Sequence, residues 1–438
     1  MKSFSKARAL HFDIVCPLVR AQTLWQIPLT FYTSSVSSVA FHLMKSKEEV
    51  LALSEEVSWI KANVNSQGFY RVNYDGDTLR ALVTELQAGE EGAQGGAAGF
   101  RFSPADRAGL MDDTFHLARQ GWVPYGDAFT LSMYMHREEE YLPITVFINH
   151  ISKMIVQFSF NQQACISRLL REHLWRVLGR QARSERWEEG GSLPAQSRRV
   201  RLLDLALRGG LWPEAEQEAL RLFHFWMAKD GQHPLPMSLR GLIFRVGVWR
   251  GGYAEWIFLL QQYRLSQSGK DQVTMLAALC RTTNHTNILW LLNASLQNHI
   301  IKTQDFKVVV DQLAFRPKTN EMLWRFIQQH WDQLVSKFPL GSLYLSDIVT
   351  ATTSHFNSTQ KYDEVYEFFV TQRSLGHLSF VQQSLEMIKL NMRWLQANTK
   401  AIQSWLQQTY PVTYSAYPLC KKEVTYRFKW GTTIRFRA

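Results

Sequence analysis

The sequence has few cysteines and no long apolar run, and both absences narrow what the chain can be. The cysteines of the 438 residues are Cys16, Cys165, Cys280 and Cys420. They form no CxxC pair and no zinc-knuckle spacing, so they do not indicate a redox compartment. Apolar runs such as 144–148 and 256–260 are far shorter than the roughly 18 residues that a bilayer span needs. Such runs are typical of a protein core.

An even spread of positive charge is also missing. The formal net charge is +11, but residues 411–438 hold six Lys and Arg residues against Glu423 alone. Much of the excess therefore lies in one basic tail, and no RNA- or DNA-binding motif accompanies it. The sequence predicts no nucleic-acid partner and no membrane span.

The N-terminal segment, residues 1–21, is basic but lacks an apolar stretch followed by a small-residue cleavage site. It therefore indicates no secretory signal. Three N-x-[ST] sequons, at Asn284, Asn293 and Asn357, are predicted N-glycosylation sites if the chain is secreted. A few sequons arise by chance at this length, so they leave the compartment open.

Residues 22–75 are predicted to form strands. Segments 59–64 and 69–74 have aromatic and β-branched content and flank a turn, which predicts a hairpin. Pro28 predicts that the strand around it lies at a sheet edge. These strands are too few to close a sandwich, so we interpret the segment as part of a β-sandwich domain. An unpaired hairpin edge also predicts poor solubility.

Residues 76–410 have helical apolar spacing. The best start signal is Ser103 as N-cap with Pro104 after it, where Asp106 is predicted to complete a capping box. Gly121 is predicted to end this helix. The apolar stripe between these signals is Ala108, Met111, Phe115 and Ala118.

Many such helices follow one another with short joints. This succession predicts a mainly α fold, a curved α-solenoid of HEAT-like helix pairs preceded by a remnant of a small β-sandwich. Residues 88–99, rich in Gly and Ala, and residues 183–201 are predicted to be flexible connections.

The common catalytic motifs are absent. None of the 13 histidines precedes a glutamate, so HExxH does not occur, and no GxSxG or P-loop is found. His136 with Glu139 and Glu140 could form a metal-binding helix face, although such runs are usually solvated. Asp112 and Asp113 point about 100° apart on a helix, which favours surface charge over an acid–base pair. The residues predict a scaffold without catalytic or metal-binding residues.

Several segments resemble the gluzincin aminopeptidases. Residues 59–61 with 68–75 resemble the end of their β-sandwich domain, and residues 103–115 resemble the first helix of their C-terminal domain. Three later segments are similar to the oxytocinase branch, which includes the endoplasmic-reticulum aminopeptidases, while earlier ones equally resemble glutamyl aminopeptidase. These later segments are 278–282, 301–305 and 334–342. All these segments occur in the same order as in the family, so residues 22–409 resemble the C-terminal region of such an enzyme.

The resemblance implies a zinc metalloaminopeptidase parent whose GxMEN and HExxH motifs precede this chain. The chain itself would be a non-catalytic wall of the peptide chamber, with peptide substrates as partners, no cofactor of its own and a homodimer allowed. Family members are membrane-anchored ectoenzymes or luminal proteins, and the compartment of this chain is left open. A second hypothesis is a stand-alone helical module that binds a protein partner. Coding sequence upstream of Met1 would distinguish the two hypotheses.

The sequence departs from the family pattern at a disulfide and at a peptide-binding site. The family's cysteine pair falls at Leu207 and Pro213, so its disulfide is not expected. In the endoplasmic-reticulum members of the family, an arginine and a Tyr-Lys pair hold the carboxylate of a long peptide. The arginine matches Arg281, but the Tyr-Lys pair falls at Ile155 and Val156. Arg281 is therefore the candidate peptide-carboxylate contact, or alternatively a cation near helix-end carbonyls. One exposed ion pair contributes at most ~1 kcal/mol, so we expect little preference for a free peptide carboxylate.

Overall fold

The computed structural model describes residues 26–46, 48–53, 56–88, 100–208, 210–297, 300–417 and 420. The chain divides into two compact units, Met1–His150 and Ile151–Ala438. The predicted N-terminal segment 1–21, most of the predicted loop 88–99 and the basic residues 421–438 lie outside the described residues. The domain boundaries predicted at residues 75 and 410 stay predictions.

Three strands form one antiparallel sheet in the first unit, in the order β2-β1-β3. They are β1 Ile27–Thr33, β2 Ala40–Met44 and β3 Ile60–Ala62. The prediction that Pro28 lies on an edge strand is wrong, because β1 is central. The register explains why proline is tolerated: β3 pairs only with residues 31–33 of β1, so Pro28 pairs with β2 alone.

The predicted hairpin at 59–74 does not form, because residues 69–74 are not a strand. The chain turns instead through Asn63, whose φ of 54° lies in the left-handed region that Asn tolerates. The Asn63 side-chain amide donates to the carbonyls of Gly68 and Tyr70 at 3.1 and 3.0 Å. The Tyr74 hydroxyl accepts the N–H of Ala62 at 3.0 Å. Side-chain hydrogen bonds thus take the place of the backbone hydrogen bonds that a hairpin would form. The predicted poor solubility assumed an unpaired hairpin edge, and the structure has no hairpin here.

The helices that begin in the first unit are α1 Gly76–Ala88, α2 Pro104–Gln120, α3 Tyr125–Ser132 and α4 Tyr141–Phe160. The predicted ends of α2 are confirmed. Ser103 Oγ accepts the N–H of Asp106 at 3.1 Å, and Gly121 ends the helix with a φ of 81°. The predicted apolar stripe of α2 is buried.

Asp106 departs from the predicted capping box. Its carboxylate forms an ion pair with Lys61 Nζ at 3.1 Å, and both side chains are almost fully buried. It also accepts the N–H of Asn65 at 2.8 Å and the hydroxyl of Tyr32 at 3.1 Å. A buried carboxylate needs such partners, and here they attach the start of α2 to the sheet.

Arg107 and Glu138 form a second buried pair that the sequence did not reveal. Arg107 Nε and Nη2 donate to the two Glu138 oxygens at 2.7 and 2.8 Å. The Glu138 side chain is 0% exposed and that of Arg107 is 5% exposed. Glu138 also accepts the N–H groups of Glu139 and Glu140 at 3.1 and 3.0 Å. The pair therefore connects α2 to the residues that lead into α4.

The second unit is helical throughout its described part. Its helices are α5 Ala164–Ser184, α6 Leu193–Arg208, α7 Pro213–Ala228, α8 Arg240–Arg250, α9 Tyr253–Leu265, α10 Gly269–Leu279, α11 His285–Gln297, α12 Phe306–Ala314, α13 Pro317–Gln329, α14 Trp331–Lys337, α15 Leu343–Thr353, α16 Thr359–Tyr366, α17 Ser379–Thr409 and α18 Pro411–Ala416. Among the described residues, no helix combines the length and apolar content of a bilayer-spanning segment.

Each helix of this unit packs mainly against helices near it in sequence. Contacts join α7 to α8, α8 to α10 and α12 to α15, and the long α17 also contacts α5. The predicted mainly α fold with a small β part is confirmed, while solenoid curvature stays a prediction. The predicted connection 183–201 is partly wrong, because α6 already begins at Leu193, and Glu185 pairs with Arg198 at 3.1 Å.

One disulfide joins distant parts of the second unit. Cys165 on α5 is bonded to Cys420, 255 residues further along the chain. Cys280 is a buried free thiol, and burial raises its pKa to about 12. The bond holds Cys420 against α5. The pairing could not be inferred from cysteine spacing, because two widely separated cysteines carry no local signal.

We expect Glu138→Gln to destabilise the first unit by about 3 to 5 kcal/mol, because it leaves the buried Arg107 guanidinium without its counter-charge. Thermal unfolding followed by circular dichroism measures the effect. Glu140→Gln is the matched control, since Glu140 is exposed, and it should melt like the wild type. Equal melting of the two variants would contradict this account of the buried pair.

Candidate functional site

Arg281 lies just past the C-terminal end of α10, and its N–H donates to the carbonyl of Ala278 at 2.8 Å. The side chain is partly buried. The alternative interpretation, a cation bound to helix-end carbonyls, applies to a different residue: Arg316 donates to the carbonyl of Cys280. Among the described residues, the Arg281 guanidinium has no hydrogen-bond or ion-pair partner of its own.

Arg281 belongs to an arginine cluster, which consists of Arg208, Arg245, Arg281 and Arg316, because the charges of the other three arginines and of one carboxylate, Asp204, act on it. Asp204 and Arg208 lie on α6, Arg245 lies on α8, and Arg316 immediately precedes α13. Arg208 Nε donates to Asp204 at 2.7 Å, and Arg245 Nη2 donates to its other oxygen. Asp204 is the only acidic side chain within the described residues that pairs with the cluster.

The cluster carries more positive than negative charge. Burial, together with the charges of Arg316, Arg245 and Arg208, lowers the pKa of Arg281 to about 9. The group still carries its proton at neutral pH. Arg316 Nε is buried without a hydrogen-bond partner within the described residues. Guanidinium groups left with free donors in a partly desolvated place are suited to bind a carboxylate or phosphate.

Ile155 and Val156, the positions of the family's Tyr-Lys pair, lie on α4 and are partly buried. Their side chains offer no hydrogen-bond donor. Any anion at Arg281 would therefore rely on the arginine cluster and not on these two positions.

The three sequons differ in accessibility. Asn284 is exposed before α11, and its Oδ1 accepts the N–H of Thr286 at 2.9 Å; Asn293 is exposed on α11. Asn357 is only 4% exposed, and its Nδ2 donates to the carbonyl of Gln157 at 2.8 Å. Because a glycan attaches at Nδ2, Asn357 is the least accessible of the three in the folded chain. Glycosylation at Asn284, Asn293 and Asn357 stays a prediction.

His136, Glu139 and Glu140 do not share a helix face. α3 ends at Ser132, a short 3₁₀ helix covers Met133–Arg137, and residues 138–140 are not helical. The spacing that favoured a metal-binding face assumed one continuous helix. His136 Nδ1 instead contacts the carbonyl of Met133 at 2.7 Å.

A different histidine cluster forms around Asp112. Asp112 Oδ1 lies 2.9 Å from His150 Nε2 and 3.2 Å from His116 Nδ1. Arg71 Nη1 donates to Asp112 Oδ2 at 2.7 Å and to Asp113 Oδ1 at 2.9 Å. The two carboxylates that the sequence predicted to diverge thus share one guanidinium. Asp113 Oδ2 also accepts the N–H of Val72 at 3.0 Å.

The charge of Asp112 is well stabilised. Burial raises its pKa, but hydrogen bonds from His116, His150 and Arg71 outweigh burial and hold the pKa of Asp112 well below its usual range. Part of this cluster could be predicted from the sequence, because Asp112 and His116 are four residues apart and therefore lie on one face of α2. His150 comes from α4, so nothing local to α2 could reveal it.

Residues 59–390 match the family model described as the ERAP1-like C-terminal domain. The chain belongs to this family. The match covers the end of the small sheet and most of the helical part, in agreement with the predicted resemblance.

Curated relatives support the same assignment. The chain is 32% identical to human endoplasmic reticulum aminopeptidase 2 over 384 residues, which are 87% of this chain and 39% of the relative. It is 33% identical to human endoplasmic reticulum aminopeptidase 1 over 385 residues, 88% of this chain and 40% of the relative. Rat glutamyl aminopeptidase is 29% identical over 386 residues, 87% of this chain and 39% of the relative. The chain thus spans about 40% of the length of these relatives.

We expect Asp204→Asn to lower the melting temperature at neutral pH. Burial raises the pKa of Asp204, but Arg245 and Arg208 outweigh burial and lower it to about 2 from the ordinary 3.8. A carboxylate whose pKa is lower in the folded than in the unfolded state stabilises the fold at pH values above the unfolded-state pKa. For Asp204 this contribution is about 2 kcal/mol, and it is lost as the pH falls toward 2.

The melting difference between wild type and Asp204→Asn should therefore be full above pH 4 and shrink below it. Asp347→Asn is the matched control, because Asp347 is exposed and has no ion pair with any described residue. A difference for Asp204→Asn that does not change between pH 7 and pH 3 would refute the electrostatic explanation.

Proposed function

We propose that this chain forms the peptide-binding helical part of an aminopeptidase and supplies no catalytic residue. The family match and the aminopeptidase names of the relatives support the class of protein. Since the chain spans about 40% of their length, we assign the chemistry to the part of the parent protein that this chain does not cover.

The sequence does not supply the catalytic zinc motif of the aminopeptidases that it resembles. Such a site takes three protein ligands and an open position for water, with a general base in reach of that water. The sequence contains no HExxH helix to supply two histidines and a glutamate together. We therefore derive no step of peptide hydrolysis from this chain.

The arginine cluster carries the proposal. A peptide offers a carboxylate at its C-terminal end, and the cluster has surplus positive charge with Arg281 unpaired among the described residues. The sequence predicts a lone exposed guanidinium at Arg281, which would contribute little. The structure instead partly buries it beside three other arginines. Charge-assisted hydrogen bonds in such a place are stronger than surface ion pairs, so we now expect a measurable preference for a free carboxylate.

The test is binding of fluorescent peptides to the 438-residue chain, each peptide prepared with a free or an amidated C-terminal end. We expect the free acid to bind about tenfold more tightly, since a hydrogen bond to a charged group contributes about 1.5 to 3 kcal/mol. Arg281→Ala should abolish this difference and leave binding of the amide unchanged. Arg264→Ala, which removes an exposed arginine, is the matched control and should retain the difference.

Two outcomes would contradict the role of Arg281. Equal affinity of the acid and the amide for the wild type would show that the cluster does not read the carboxylate. A preference that persists in Arg281→Ala would place the contact elsewhere. If no peptide binds while a protein partner does, the stand-alone interaction module becomes the better hypothesis.

We further expect the chain alone to release no amino acid from a panel of aminoacyl fluorogenic substrates. The reaction needs water activated by a metal and a base, and the chain lacks the motif that supplies both. Assays with and without added zinc, each repeated with a chelator, measure this. Turnover that the chelator abolishes would mean that the chain contains a catalytic site after all.

A further inference from the structure

We infer that Asp112, His116 and His150 form a binding site for a divalent transition-metal ion of the zinc class. The inference goes beyond the proposed function and departs from the sequence-based expectation that the chain holds no metal ligand. It rests on one carboxylate and two imidazoles that two helices of the first unit place together.

The spacing of the ligand atoms suits a small cation. One atom from each of the three side chains lies within 4.8 Å of the others. Asp112 Oδ1 is 2.9 Å from His150 Nε2 and 3.2 Å from His116 Nδ1. A tetrahedral ion with bonds of about 2.0 to 2.1 Å holds its ligands about 3.3 Å apart. An ion can therefore replace these two hydrogen bonds if the side chains shift by a few tenths of an ångström. The two imidazole rings would have to move closer to each other by a larger distance.

The donor set selects the class of ion. Two imidazoles and one carboxylate are ligands typical of zinc, cobalt and nickel, whereas calcium and magnesium prefer oxygen ligands alone. The side chains of Asp112 and His116 are each 36% exposed, while that of His150 is 12% exposed. The cluster therefore opens to solvent on one side, which gives access to the ion and room for water as a fourth ligand.

Neighbouring groups hold the ligands in place. Phe115 stacks on the His150 ring, with the centroids 5.1 Å apart and the planes inclined by 16°. Arg71 fixes Asp112 Oδ2, which leaves Oδ1 directed at the imidazoles. Support of this kind orients the ligands of metal sites. Asp113 offsets the charge of Arg71, so with neutral histidines the two carboxylates, the guanidinium and the two imidazoles have a net charge of −1, which favours a cation.

The His116 ring has one competing contact. Its Nδ1 lies 2.9 Å from the carbonyl of Asp112 as well as close to the carboxylate. Metal binding through this nitrogen would remove its proton and its bond to the carbonyl. His116 is thus the ligand that must adjust most, and its replacement should weaken binding less than replacement of His150.

The experiment titrates Zn²⁺ into the metal-stripped 438-residue chain by calorimetry and repeats the titration with Co²⁺ while recording visible absorption. We expect one equivalent of each metal and the intense bands of four-coordinate cobalt. His150→Gln and Asp112→Asn should each weaken binding at least tenfold. His285→Gln is the matched control, because His285 is exposed and lies outside the cluster, and it should bind like the wild type.

A second measurement covers the case in which a variant does not fold. X-ray absorption of the zinc-loaded wild type should show two imidazole ligands, and zinc should raise the wild-type melting temperature, as a ligand of the native state does. A coordination shell of oxygen alone, the absence of a stoichiometric site in the wild type, or equal affinity in folded His150→Gln would each overturn the proposal.

Discussion

Burial of charge at the start of α2 is the constraint on which the first unit depends. Asp106 and Arg107 are adjacent, yet they pair with different partners: Asp106 with Lys61 on β3, and Arg107 with Glu138 before α4. Charges removed from water need close and well-aligned partners. These two pairs therefore fix how α2 is rotated and placed. With that rotation set, Asp112 and His116 lie on the side where Arg71 and His150 meet them.

How much could be predicted from the sequence depended on whether the signal was local. Ser103, Pro104 and Gly121 define α2 through contacts within a few residues, and the structure confirms them. The hairpin prediction was wrong because Asn63 adopts a left-handed conformation and its amide competes with ladder bonds. The strand preferences of single residues, on which the prediction rested, give no information about such a competing side-chain hydrogen bond.

Both candidate sites are non-local for the same reason. The arginine cluster draws on α6, α8 and the residues next to α10 and α13, and each arginine alone looks like ordinary surface charge. The resemblance to a known family singled out Arg281, but it could not supply the charges around it. Likewise, the four-residue spacing of Asp112 and His116 becomes a metal-type donor set only when α4 contributes His150.

The two clusters have opposite charge imbalances, and this decides what each can bind. In the arginine cluster one carboxylate pairs with two of the four guanidiniums, so an incoming anion would relieve the repulsion that the other arginines exert on Arg281. Around Asp112, two carboxylates serve one guanidinium and two imidazoles that are neutral when deprotonated, so a cation is favoured. Within the described residues, Arg281 is the member of the first cluster that lacks a partner, and a partly buried charge without a partner costs stability. That is the ground for proposing an anion at Arg281, whereas the cation proposed at Asp112 rests on the donor set that the two helices bring together.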